Sequence, residues 1–174
     1  MTRFLEETGR KLPRGKAGNT LPFFFRARAA RLVLGCAVAI LSASFARAQQ
    51  APLPEVQLTA GIHLIHAELA DEFTTRMEGL MYRTSLAPNG GMLFVFEQPG
   101  EQCMWMKNTL LPLSVAFIDD DGSIVNIADM QPQTEDPHCA AKPVRYALEM
   151  TQGWFAERGI RAGSRLRGLD KLRH

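Results

Sequence analysis

The sequence has few cysteines, no long apolar run and no overall excess of charge of one sign. Its 174 residues include three Cys, with no Cys-x-x-Cys pair of the kind used in redox centres and zinc sites. No apolar run approaches the roughly 20 residues of a membrane-spanning helix, so we expect no stable membrane span. Hydrophobic residues make up 46% of the chain and charged residues 22%, which is typical of a globular protein and excludes collagen-like and wholly disordered chains.

The formal net charge of +2 conceals an uneven distribution along the chain. Residues 1–48 carry nine Lys and Arg against two acids, whereas residues 49–174 carry 11 bases against 16 acids. Nucleic-acid binding requires a basic surface that neutralises phosphates. The second part of the chain, with a balance of −5, does not predict one. We therefore expect no nucleic-acid partner.

The first 48 residues have the order of an export signal. A basic stretch at 26–31 precedes an uncharged, largely apolar core at 32–45, and Ala46-Arg47-Ala48 follows as a small-x-small cleavage site. The sequence therefore predicts cleavage near Ala48 and a periplasmic or secreted single domain spanning 49–174, with its core at about 55–170. An uncleaved N-terminal anchor is the alternative, although 14 apolar residues are few for a bilayer.

Two cysteines remain once the predicted signal, which contains Cys36, is removed. An even number of cysteines in an oxidising compartment predicts a disulfide, here between Cys103 and Cys139. The alternative is that one of them serves as a thiolate nucleophile or a metal ligand.

The remaining pattern favours short strands separated by turns. A helical spacing interrupts it at 70–79, and a second short helix is predicted at 154–158. The Asp-Asp-Gly sequence at 120–122 is typical of a hairpin turn. A polar loop with three prolines is predicted at 131–143. Strand-like runs occur at 56–59, 62–69, 92–96, 102–107, 113–119, 123–130 and 165–168, and 144–150 is a strand or a strand-to-helix junction. The pattern predicts a mostly β domain, a compact antiparallel sandwich or barrel with two short flanking helices.

Three ordered segments carry a resemblance to a known family. The first is EGLMYR at 78–83 followed by GMLFVF at 91–96, and the second is MWMKNTLLPL at 104–113 followed by AFID at 116–119. The third is RYALE at 145–149, followed by Gly153 and by GIRAG at 159–163. Together they resemble the signatures of the family known as domain of unknown function 192.

The resemblance implies an exported protein with a compact, jelly-roll-like β sandwich, and it implies no established activity. One position departs from the family pattern. The family usually has Asp after the Pro-Leu of the second segment, where this chain has Ser114. A mechanism that needs a carboxylate at that position is therefore not supported.

The densest polar cluster within an apolar stretch is Lys107-Asn108-Thr109. A Lys, an amide and a hydroxyl could converge on a small polar ligand, although Asn108 could equally form a turn beside a solvated Lys107. Arg83 could bind a ligand carboxylate, or it could pair with a neighbouring acid such as Glu149. The candidate ligand-binding residues are thus Arg83, Lys107, Asn108, Thr109 and Glu149.

A Cu(I) site is a further alternative because seven methionines follow the predicted signal. Soft thioethers and imidazoles bind Cu(I), but methionine is also an ordinary core residue. The candidate ligands would be Met77, Met81, Met104, Met106, His63 and His66, with Met104 and Met106 expected on one strand face and the two histidines on opposite faces. We favour a protein without a metal or cofactor.

The sequence contains neither a Gly-x-Ser-x-Gly elbow nor a His-Glu-x-x-His pair. We therefore predict an exported, non-enzymatic binding or accessory module, with a small polar ligand derived from the cell envelope or an exported protein as its partner. An enzyme acting on envelope carbohydrate or peptide is the alternative.

Overall fold

A computed structural model describes residues 53–172, which form nine strands, two short α-helices and one 3-10 helix. The strands in chain order are β1 (Glu55–Ala60), β2 (His63–Ala70), β3 (Gly90–Gly100), β4 (Cys103–Met104), β5 (Leu113–Ile118), β6 (Ile124–Met130), β7 (His138–Cys139), β8 (Val144–Thr151) and β9 (Leu166–Arg167). Helix α1 spans Phe73–Glu78, helix α2 spans Trp154–Glu157, and the 3-10 helix spans Leu169–Leu172. The predicted export signal lies outside the described residues.

Seven strands form one sheet in the order β6-β5-β8-β3-β2-β1-β9, which curves into a half-barrel. Every neighbouring pair is antiparallel except β2 and β3, which run parallel because α1 and a long connection separate them. The two remaining strands, β4 and β7, pair with each other as a separate ribbon. The expected mostly β class with two short helices is confirmed.

Both faces of the large sheet are covered, so the central strands are buried on both sides. All six residues of β5 are buried. One face forms a first core with Tyr146, Leu148 and the α2 aromatics Trp154 and Phe155. The other face forms a second core that includes Met92, Phe94, Leu113, Val115 and Ala147. Side chains alternate between the two cores along each strand because successive residues of a strand point to opposite faces.

The turn predicted at 120–122 connects β5 and β6. The Asp119 N–H donates to the Ser123 carbonyl at 2.9 Å and the Gly122 N–H donates to the Asp119 carbonyl at 2.9 Å. Gly122 has a φ of +87°, and a Cβ there would lie 2.4 Å from the carbonyl oxygen of Leu166. This position therefore requires glycine for both its backbone conformation and the close approach of β9.

The structure differs from the predicted elements at 102–107 and 131–143. The expected strand at 102–107 is limited to Cys103–Met104, and the expected loop contains β7 at its centre. These two short strands pair with Cys103 opposite Cys139 and Met104 opposite His138. Local patterning did not predict β7 because two residues are too few to show a period. Within the described part of the chain, no helix is long and apolar enough to cross a membrane.

Candidate functional site

A cleft of about 530 Å³ opens on the second-core side of the sheet. Helix α1 and the segment after it form one wall, and the chain from Cys103 to Thr109 forms another. The lining is predominantly apolar and includes Phe73, Met77, Leu80, Phe94, Phe96 and Trp105. Phe73, Met77 and Trp105 are all substantially exposed, so they form the mouth of the cleft. A cavity of this size with apolar walls is typical of small-molecule sites.

A carboxylic acid, Glu149, lines this apolar cleft. Its side chain projects from β8, an inner strand of the sheet between β5 and β3, and the residue is only 3% exposed. In the strand register it lies between Met92 of β3 and Val115 of β5, two members of the second core. Among residues 53–172, no basic residue forms an ion pair with its carboxyl, and no charged neighbour offsets its desolvation.

Burial raises the pKa of Glu149 from its ordinary value of 4.5 to about 8. The physical cause is desolvation, because an apolar setting disfavours the ionised carboxylate far more than the neutral acid. At neutral pH the group is therefore mostly protonated in the absence of a ligand. A strongly perturbed acid inside a cleft is a frequent mark of a functional site.

Thr109 is the second polar candidate that lines the cleft. It is buried, and its hydroxyl donates a long hydrogen bond of 3.5 Å to the carbonyl of Lys107. A bond of that length is weak, so the hydroxyl retains the capacity to bind another group. Thr109 and Glu149 are thus the two predicted candidates that the fold places on the same cavity.

Arg83 pairs with a neighbouring acid, Glu68, at 2.7 Å, where the sequence suggested Glu149 as an example of such a partner. Glu68 lies on β2 in the same row across the sheet as Glu149, and Met92 lies between them. Both partners of the ion pair are partly buried, since their side chains are 26% and 22% exposed. Arg83 therefore joins the loop after α1 to the sheet.

Lys107 and Asn108 lie next to the cleft but are not among its lining residues. The Lys107 ammonium is 3.5 Å from the Glu135 carboxylate, and both side chains are well exposed to solvent. Asn108 has a left-handed backbone with a φ of +57° and forms a turn. Its carbonyl accepts the N–H of Tyr82 at 2.9 Å, and its side-chain amide contacts the sulfur of Met81 at 3.9 Å. These contacts fit the turn interpretation of Asn108.

Replacing Asn108 separates its backbone role from its side-chain role. We expect Asn108→Ala to lower the free energy of unfolding by about 1–2 kcal/mol, because alanine adopts the left-handed conformation poorly. Asn108→Gly should cost markedly less, since glycine accepts a positive φ. Urea unfolding of both variants measures the difference. Equal losses in the two variants would show that the side-chain amide is the important feature.

The β4–β7 ribbon closes one side of the cleft. Cys103 and Cys139 are joined by a disulfide across its first residue pair, which confirms the predicted pairing. Cys103, Met104 and Trp105 all line the cavity. Because its sulfur is bonded to Cys139, Cys103 is not a thiolate nucleophile in this state.

The candidate copper ligands are divided between several environments. Met77, Met81 and Met104 line the cleft, whereas Met106 is fully buried in the second core. The expectation that Met104 and Met106 share a strand face is wrong because β4 ends at Met104. His66 pairs with Glu55 at 2.8 Å, and His63 packs against the edge of Trp154, so the two histidines face opposite sides of β2 as expected. In residues 53–172, no group of three or more His, Cys, Asp and Glu side chains could hold a metal ion.

Ser114, the departure from the family pattern, lies on the opposite face of the sheet from the cleft. It follows Leu113 on β5, and Leu113 and Val115 belong to the second core. Its hydroxyl donates to Asp129 at 2.5 Å and accepts the N–H of Gly153 at 2.9 Å. Ser114 therefore joins β5, β6 and the turn before α2, and the substitution does not alter the cleft.

The chain belongs to the DUF192 family, described as uncharacterized, whose conserved domain matches residues 56–168. Among solved structures it is similar to a protein from Sinorhizobium meliloti with a provisional description as a transcription regulator. The two share 37% identity at a TM-score of 0.64, over 69% of this chain and 98% of that chain. A protein of unknown function from Novosphingobium aromaticivorans is similar at 35% identity and a TM-score of 0.64, over 66% and 86% of the two chains. No curated protein matches the chain.

Proposed function

We propose that this protein is an exported, non-enzymatic binding module that holds a small molecule in the cleft between α1 and the β4–β7 ribbon. The observation that carries the proposal is a cavity of about 530 Å³ that has a predominantly apolar lining and a buried acid on its wall. The predicted export signal and the disulfide support a periplasmic or secreted location.

The composition of the walls favours a ligand with a substantial apolar part. Met77, Met81 and Met104 contribute flexible thioether side chains, which adapt to ligands of different shape. Trp105 and Phe73 at the mouth offer broad apolar surfaces that a ligand would cover. Polar recognition would then come from Glu149 and Thr109, whereas the sequence alone favoured a mainly polar ligand. The net charge of −5 over residues 49–174 argues against DNA as the partner.

Binding of a neutral apolar fluorophore tests this function. We expect N-phenylnaphthylamine to bind one molecule per chain, with a blue-shifted and enhanced emission. Met77→Glu should weaken that binding at least about tenfold, because a charge at the mouth opposes transfer of the dye from water. Fluorescence titration measures both affinities.

Ile62→Glu is the matched control for this experiment. Ile62 is 94% exposed in the turn between β1 and β2, away from the lining of the cleft. The Ile62→Glu substitution should leave dye binding unchanged. Absence of saturable binding, or equal losses in the two variants, would contradict the proposed function. Turnover of cell-wall fragments would instead support the envelope-acting enzyme.

A Cu(I) site is the second candidate, because the structure places Met77, Met81 and Met104 on one cavity. Three thioethers form a donor set that suits Cu(I). If this function holds, Cu(I) titration against a competing chelator should reveal a one-to-one complex that Met104→Leu abolishes. Failure of the protein to compete with the chelator would remove this candidate and leave the thioethers as adaptable apolar walls.

A further inference from the structure

We propose that the cleft selects amphiphilic amines, that is, small molecules with a protonated primary amine on an apolar chain, and that Glu149 binds the ammonium group. This inference rests on the proposed function and deepens it by naming the ligand class. The apolar chain would lie along Met77, Phe96 and Trp105, and the ammonium would donate hydrogen bonds to the carboxylate of Glu149.

The Glu149 carboxyl faces the cleft without a counter-ion from the described residues. A buried carboxylate without a counter-ion is unfavourable, and Glu149, which is 3% exposed and lines the cleft, has no ion-pair partner within residues 53–172. Its neighbours in the strand register, Met92 and Val115, cannot supply one. An ammonium group supplies both a positive charge and several N–H donors, so it satisfies the carboxylate more fully than a neutral hydroxyl does.

The other charged groups around the cleft either have partners of their own or lie in solvent. Arg76 lines the cavity from α1, but its guanidinium donates to the carbonyls of Asp71 and Val95 and lies 5.8 Å from the centre of the Phe96 ring. Glu78, also on α1, is exposed to solvent at the mouth. Two further acids of this sheet are paired with bases, Glu68 with Arg83 at 2.7 Å and Glu97 with Arg76 at 3.9 Å. Glu149 is therefore the buried acid of the cleft, and it is the group with which an ammonium could pair.

The proton balance gives the proposal a distinctive signature. Before binding at pH 7, Glu149 is mostly protonated and the free amine is an ammonium ion. Formation of the ion pair requires the carboxyl to ionise, so its proton passes to the solvent while the ligand keeps its own. The affinity for an amine should therefore rise about tenfold per pH unit below the pKa of Glu149 and level off above it. The affinity for an alcohol of the same length should show no such rise.

The experiment compares n-octylamine, n-octanol and octanoate by isothermal titration calorimetry between pH 6 and pH 9. We expect the amine to bind at least about tenfold more tightly than the alcohol at pH 8.5, with release of up to one proton at pH 7. Glu149→Gln, which has almost the same shape, should remove both the preference for the amine and its pH dependence. Glu101→Gln, which alters an exposed glutamate outside the cleft lining, should retain both.

The outcomes separate the inference from the function on which it rests. If n-octanol or octanoate binds as tightly as the amine, or if Glu149→Gln keeps the amine preference, the amine selectivity is wrong while the binding function stands. If none of the three ligands and no apolar dye binds, both are wrong. Should Glu149→Gln fail to fold, the pH profile of the unaltered protein decides, because a flat amine affinity between pH 6 and pH 8 overturns the inference.

Discussion

Glu149→Gln is expected to make the protein more stable at pH 8 while leaving its stability near pH 4.5 almost unchanged. The pKa of Glu149 is raised from 4.5 to about 8 by burial, so the folded state holds a proton that the unfolded state has already lost across this range. The free energy of unfolding of the unaltered protein should therefore decrease as the pH rises from about 4.5 to 8. A neutral glutamine removes that decrease. At pH 8 the free energy of unfolding of Glu149→Gln should therefore exceed that of the unaltered protein by about 3–5 kcal/mol.

Urea unfolding of both proteins at several pH values between 4.5 and 8.5 measures this effect. Asp119 does not complicate the range, because the hydrogen bond from Lys142 lowers its pKa and its contribution is lost only at still lower pH. Glu101→Gln serves as the control for the loss of one carboxylate and should follow the unaltered protein. Parallel curves for Glu149→Gln and the unaltered protein would show that Glu149 is ionised and solvated in the folded state.

Cys139→Ser should lower the free energy of unfolding by roughly 4 kcal/mol. The disulfide joins residues that are 36 positions apart, and removing such a loop constraint restores conformational entropy to the unfolded chain. For a domain whose total stability is on the order of 5–15 kcal/mol, this is a large fraction. The β4–β7 ribbon has only two residue pairs, and two short strands are not stable by themselves.

Loss of the disulfide should also disturb the cleft, because the ribbon contributes Cys103 and Met104 to its lining. We therefore expect weaker N-phenylnaphthylamine binding in Cys139→Ser than in the unaltered protein. The double variant Cys103→Ser/Cys139→Ser should be no less stable than the single variant, since both remove the same bond. Unchanged unfolding after reduction, or two free thiols in the native protein, would contradict a stabilising role for the disulfide.

The local elements were predictable where short-range chemistry decides them. Alternation predicted β2 and β5 within one or two residues, and helical spacing ending at Gly79 predicted α1. The Asp-Asp-Gly sequence predicted the turn that ends at Gly122. In each case the preference for a strand, a helix or a turn is set by residues close together in the sequence, through the period of their side chains or the backbone conformation they favour. It can therefore be read from the sequence without knowing the fold.

The neighbours of a strand were not predictable in the same way. The hydrophobic patterns of β2 and β3 do not indicate that these strands pair in parallel. Strand partners are determined by the packing of the whole sheet, not by the residues of either strand alone. The same limit applies to Arg83, for which the sequence suggested Glu149 and the structure provides Glu68. Lys107 and Asn108 are adjacent to Thr109 in sequence, but a turn directs only Thr109 to the cleft.

The sequence by itself determined the mostly β class, the family and the pairing of Cys103 with Cys139. It also identified Thr109 and Glu149 as candidate ligand-binding residues. Only the tertiary structure decided that the cleft is mainly apolar and that Glu149 lines it with no ion-pair partner among residues 53–172. The reason is that its walls come from four distant segments, namely 73–81, 94–96, 103–109 and Glu149 itself. The pKa of a carboxyl depends on which of these groups surround it, and strand register and packing, rather than local sequence, bring them together.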